Sequence, residues 1–214
     1  TNALSGSQII YNFTLSNTGT TTSPTSVYIK DLVPNGVIIT GATKSTGVSS
    51  IDCSSSGLPF TGNGSTSLSC TINLTSGISQ GGTAIFSLNA TLPTVSSATS
   101  ITNYASIDPT GGSSPATPSS SCASSYNYCS AAQTTIDTPA SFTLLKAANP
   151  SGSVAANSSL TYTFSIANTG STTSGLSANI QELLPSGVVA LSANPISGIQ
   201  SVDCGTLPSS AGAL

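Results

Sequence analysis

The sequence predicts an all-β protein of tandem Greek-key β-sandwiches. Three features carry that expectation: two-residue alternation in each apolar stretch, Gly/Ser/Pro/Asn turns between the stretches, and an internal repeat. Ile9, Tyr11, Phe13 and Leu15 fall on one face of the first strand, with Ile10, Asn12 and Thr14 on the other. Val27 and Ile29 alternate with Tyr28 and Lys30 before a turn at Pro34-Asn35-Gly36. Leu68/Cys70/Ile72/Leu74, Ala84/Phe86/Leu88/Ala90/Leu92 and Ile101/Asn103/Ala105/Ile107 continue the pattern, and helical spacing fits none of them.

The repeat appears when residue i is set against residue i+151. From Ser7/Ser158 to Cys53/Cys204 the two stretches align without a gap, and twenty of the 47 pairs are identical. Tyr11, Phe13, Asn17, Thr18 and Gly19 return as Tyr162, Phe164, Asn168, Thr169 and Gly170. Later pairs include Leu32/Leu183, Pro34/Pro185, Gly36/Gly187, Asp52/Asp203 and Cys53/Cys204.

This register organises the chain. Residues 1–108 form a first sandwich repeat whose opening strand is expected to be absent, because the counterpart of Ser141–Ala148 would precede Thr1. Residues 109–140, dominated by Pro, Ser, Thr and Gly, read as a loop or linker pinned by Cys122 and Cys129. Residues 141–214 open a second repeat whose later strands would lie beyond Leu214. Two readings follow. The chain is one stretch of a longer array, or a neighbouring subunit supplies the opening strand by donor-strand exchange.

Charge excludes several classes of partner. Three Lys (Lys30, Lys44, Lys146), no Arg and six carboxylates give no basic stripe for nucleic acid and nothing to hold an anionic membrane. No apolar run is long enough to span a bilayer. Among 214 residues 37% are hydrophobic, so the chain can bury a core despite its low charge.

The combination Tyr-x-Phe-(x)3-Asn-Thr-Gly (Tyr11 to Gly19, Tyr162 to Gly170) is followed by an acidic residue, two apolar residues and Pro-x-Gly-Val (Asp31 to Val37, Glu182 to Val188). With Thr102 to Ala105 and the opening Leu144-Leu145-Lys146, it resembles the "domain of unknown function eleven" family of tandem surface repeats in bacteria and archaea. That resemblance implies immunoglobulin-like sandwiches in long secreted or cell-surface arrays. It implies no reaction and no cofactor.

Five cysteines bear on compartment. Cys53 and Cys70 flank a Gly/Ser-rich loop and suit a disulfide, Cys122 and Cys129 close a small loop, and Cys204 is the repeat equivalent of Cys53 with its expected partner beyond Leu214. Disulfides point to an extracellular or cell-surface setting. With no His and no Cys-x-x-Cys, a metal cluster is not expected. Asn-x-Ser/Thr sequons stand at Asn12, Asn63, Asn73, Asn89 and Asn157, either as glycan acceptors or as products of an Asn/Ser/Thr-rich composition.

Without His or Arg no Ser/His/Asp or Cys/His site can be built, so no enzyme activity on a substrate is expected. One self-directed reaction is chemically accessible: a Lys in an early strand crosslinked to an Asn in the closing strand with the help of a buried acid. Lys146, Asn103 and either Asp31 or Glu182 are its candidates, although no single copy holds all three. The plain alternative is a snorkelling Lys, an Asn bonding a turn and an acid capping a loop.

The expected function is an extracellular structural protein, packed with its own kind into a filament, sheath or stalk, its low charge easing close contact between neighbours. A cell-surface adhesin is the alternative. Tyr126 and Tyr128, beside Cys129, would be its contacts to a glycan or host protein.

Overall fold

The computed structural model describes the chain except residues 109, 111, 112, 120, 121, 123–127, 176 and 211–214, together with the side chain of residue 210. It divides into two compact units, Thr1–Thr173 and Ser174–Leu214. Among the described residues no helix is long and apolar enough to cross a membrane.

The first unit contains a sandwich of two sheets. One contains β1 (Asn2–Leu4), β10 (Cys129–Asp137), β9 (Thr99–Ile107), β3 (Ser26–Leu32), β7 (Leu68–Leu74) and β5 (Val48–Asp52), in that spatial order. The other contains β2 (Gln8–Ser16), β8 (Thr83–Thr91), β4 (Ile38–Lys44) and β6 (Phe60–Thr61). Neighbours pair antiparallel except β1, which runs parallel to β10.

Alternation explains which side chains meet in the middle. Val27 and Ile29 of β3, Leu68 to Leu74 of β7 and Ala84 to Ala90 of β8 bury every second residue. Tyr11 and Leu15 close the core from β2, and Phe13 lies directly opposite Phe86 in the ladder with the rings stacked at 4.7 Å. The Pro34-Asn35-Gly36 turn closes through a bond from Val37 N–H to the Pro34 carbonyl, with Gly36 at a φ of 78° that a side chain would resist.

The sandwich does not end at residue 108. Part of the segment expected to be a loop or linker, Cys129–Asp137, is β10, paired along β9 from Cys129↔Ser106 to Ile136↔Thr99. Its sequence, CSAAQTTID, carries only Thr134 and Ile136 as buried residues, so the apolar alternation that marks the other strands is missing. Asn103 therefore lies in the penultimate strand of the sheet rather than the closing one.

Among the described residues, 141–214 hold four strands in two separate two-stranded sheets. β11 (Phe142–Asn149) and β12 (Thr161–Asn168) make an antiparallel hairpin within the first unit. Its end is tied to the exit of β10: Thr138 N–H donates to Ser171 Oγ at 2.8 Å, and Ser171 N–H to Thr138 Oγ1 at 3.0 Å.

The second unit holds β13 (Val189–Ala190) and β14 (Ser209–Ser210). Val189↔Ser210 and Ala190↔Ser209 reproduce the Ile38↔Thr61 and Ile39↔Phe60 pairs of β4 and β6, after the repeat offset has changed from 151 at Cys53/Cys204 to 149 at Leu58/Leu207. In the first copy β3 is held between β7 and β9. Residues 177–183, its counterpart, form no strand, and Leu183 is 77% exposed.

Candidate functional site

The strongest candidate site lies where the two sheets of the first unit part at the free edge of β2. Among the described residues β2 pairs with β8 alone. Beside its open edge is a groove of about 230 Å³, floored by Tyr11 and Phe13 of β2 on one side and by Asn103, Ala105 and residues 130–134 of β9 and β10 on the other.

Tyr11 and Asn103 line it from opposite sheets, and Asp31 is buried next to Asn103. Asp31 is in phase with Val27 and Ile29, so the pleat turns it into the core, where it is fully buried. In the β3–β9 register Asp31 faces Ala105, which puts Asn103, two residues along and on the same face, diagonal to it. Asn103 is 3% exposed. Tyr11 approaches from the opposite sheet.

Their hydrogen bonding is incomplete. Neither carboxylate oxygen of Asp31, nor the Asn103 side-chain oxygen, nor the Tyr11 hydroxyl has a partner. Burial pushes the Asp31 carboxyl up to about 7; the nearby Asn103 amide pulls the other way, although no bond of ordinary length and angle joins the pair. Tyr11 is pushed up to about 12, first by burial and then by the negative charge of Asp31. Leaving such groups unpaired inside a core costs about 1–3 kcal/mol each, so the cluster is short of a partner, and a cation or donor would fit it.

The second repeat copy reveals what lies along this edge. Asn17 N–H donates to Gly82 O at 3.1 Å on the β8 side, whereas Thr169 N–H, the counterpart of Thr18, donates to Ser141 O at 2.7 Å beside β11. Successive N–H groups of an extended chain leave opposite edges. β11 thus occupies the edge of β12 that is free on β2. Lys146 pairs with Phe164 and shares a face with Phe142 and Leu144, the face that in the first copy carries Tyr11 and Phe13 into the core. Its ammonium stands 4.1 Å above the Tyr162 ring.

Glu182 lies in the second unit and Lys146 in the first. Asp52 and Asp203 recur as turn caps: Asp52 accepts Ser54 N–H and Asp203 accepts Gly205 N–H, both at 2.9 Å. The bonds from Ser54 hold the exposed Asp52 below the usual carboxylate range.

Cys53 is joined to Cys70 and Cys122 to Cys129, while Cys204 is free and half-buried. Two disulfides fit an oxidising, non-cytoplasmic compartment. Asn12, Asn63 and Asn157 are exposed. Asn73 and Asn89 are half-buried, with their amide nitrogens donating to Ser50 Oγ at 3.0 Å and Thr43 Oγ1 at 3.2 Å. Tyr128, 45% exposed, edges a separate cavity of about 430 Å³ lined by Ser106, Pro115 and Cys129 among others; Tyr126 lies outside the described residues.

No family model matches the chain, and neither does any curated protein or solved structure.

Proposed function

We propose that this chain is a structural element of an extracellular or cell-surface filament, sheath or stalk. Immunoglobulin-like Greek-key sandwiches would repeat along it, of the kind its motifs resemble in the "domain of unknown function eleven" family. Each sandwich is completed by an extended strand lying along the β2 edge. One observation carries this reading: β2 offers an unpaired edge above an open groove, and β11 lies along the equivalent edge of β12 in the other repeat copy. An edge of this type is a joint that main-chain hydrogen bonds can close. Attached glycans at the exposed sequons would cover the outer faces.

Native material viewed by negative-stain microscopy is expected to show ordered filaments or a sheath. The exposed Tyr128 beside its cavity favours the adhesin as a second reading. Discrete particles that bind a glycan array, with binding lost on Tyr128→Ala, would replace the structural reading with that one.

A further inference from the structure

We infer that the exposed loop 17–21 is a docking surface for the linker of a second copy of this chain, the segment 137–141 that runs from β10 into β11. The inference rests on the open-edge reading above, because this linker leads directly into a strand of the kind that would lie along β2.

The second repeat copy shows the fit. Its loop 168–172, the counterpart of 17–21, grips residues 137–141 at several points. Ser141 N–H donates to Asn168 Oδ1 at 3.1 Å, and the Ser141 carbonyl accepts Thr169 N–H at 2.7 Å. Thr138 and Ser171 each donate an N–H to the other's hydroxyl, and the Thr138 carbonyl accepts Thr172 N–H at 3.2 Å. Gly170 permits the close approach: a Cβ there would collide with the Pro139 carbonyl oxygen and stand 2.9 Å from Ala140 Cα.

The first copy presents the same groups to solvent. Asn17 holds its loop with the bonds that Asn168 makes, and Thr18, Gly19, Thr20 and Thr21 are all exposed. Thr20 supplies a hydroxyl where Ser171 stands. Among the described residues no hydrogen bond reaches Thr18 N–H or Thr20. A Cβ on Gly19 would meet only Asn17 Oδ1, at 3.3 Å. One glycine of the repeated signature thus lies under the linker and its twin lies open.

The linker also carries its own sandwich with it. Asp137 accepts Ser171 Oγ–H at 3.3 Å through one carboxylate oxygen and the Asn2 amide at 3.1 Å through the other, which ties the gripping loop to β1 as well as to β10. The same clasp on loop 17–21 would set the orientation of the incoming sandwich, where an edge strand alone would leave it to swing.

Two fluorescent peptides test this on the intact chain by anisotropy: residues 142–150, FTLLKAANP, the strand alone, and residues 137–150, DTPASFTLLKAANP, the strand with its linker. The longer peptide should bind about tenfold tighter or more, since the linker adds contacts to a strand already held. Gly19→Ala, whose methyl would meet the incoming proline carbonyl, should erase that difference and leave the shorter peptide within about twofold of its wild-type affinity, with circular dichroism confirming the fold. Thr20→Val in the chain and Thr138→Val in the longer peptide should each weaken binding roughly fivefold, and together no further than either alone, because both remove the same bonds. Equal affinities of the two peptides for wild type, or a full linker advantage retained by Gly19→Ala, would overturn the clasp and leave the open edge standing. Binding of the longer peptide alone would keep the clasp and remove the strand site. Binding of neither would bring down the open-edge reading and the clasp with it.

Discussion

Asn17 and Asn168 make the same pair of hydrogen bonds in the two repeat copies. Each side-chain oxygen accepts the N–H of the glycine two residues on, Gly19 at 2.9 Å and Gly170 at 3.0 Å, and each amide donates to the threonine carbonyl four residues on, Thr21 at 2.7 Å and Thr172 at 2.8 Å. Asn17 reaches further and donates to Ile78 O at 2.7 Å, tying the end of β2 to the loop before β8. The Asn-Thr-Gly signature is thus a folding device, which is why it recurs without any chemistry attached to it.

Asn17→Ala removes the donor to two carbonyls and the acceptor for one N–H. At about 1 kcal/mol for each bond, with a surcharge for partners left dry, it should cost roughly 2–3 kcal/mol in urea unfolding. Asn17→Asp keeps the acceptor and loses both donors, so it should fall between wild type and alanine. Equal stabilities for all three would mean that the loop is held by other contacts.

Asp31 makes stability depend on pH with a definite sign. Its folded value of about 7 lies above the unfolded value, so the native state keeps a proton that the unfolded chain releases between roughly pH 4 and 7. This contribution is complete below that window and is lost as pH rises through it, a change on the order of 4 kcal/mol. Asp31→Asn should abolish it, so the variant gains on wild type at pH 8 relative to pH 4. Denaturant titrations at the two pH values measure that difference, and parallel behaviour would mean that Asp31 is solvated.

Gly62 shows how closely the turn regions pack. A Cβ there would stand 2.6 Å from Val33 Cγ1 and collide with the Pro34 carbonyl oxygen. Gly62→Ala should therefore destabilise by about 1–3 kcal/mol or more, since backbone cannot yield as a side chain can. Gly152→Ala meets nothing within 4 Å and should be neutral or slightly stabilising in the same thermal melts.

Closing the loop between Cys53 and Cys70, a separation of 17 residues, restricts the unfolded chain by about 3 kcal/mol. Cys53→Ala with Cys70→Ala should lower the melting temperature accordingly. Alkylation of the unreduced, denatured protein should label Cys204 alone, with five sites labelled after reduction. Labelling of Cys53 or Cys70 before reduction would contradict the pairing.

Much of this was legible in the residues because alternation writes core faces directly. Asp31 stood in phase with Val27 and Ile29, and Asn103 with Ile101 and Ala105, so their shared inward direction was available as a signal. Their diagonal meeting was not, since it depends on the β3–β9 register. The role of Tyr11 was likewise hidden, because it reaches the pair from the opposite sheet. β10 leaves no apolar pattern in the sequence because its short polar side chains gain their place from backbone pairing rather than from apolar burial.

The parallel pairing of β1 with β10 has a mechanical meaning. Tension applied through Thr1 and through the chain beyond Asp137 would pull two parallel neighbours from opposite ends. Their bonds, Thr135 N–H to Thr1 O and Ser5 N–H to Asp137 O, both 2.8 Å, would then share the load in shear instead of parting one after another. A sandwich loaded in this way would resist extension along these two strands.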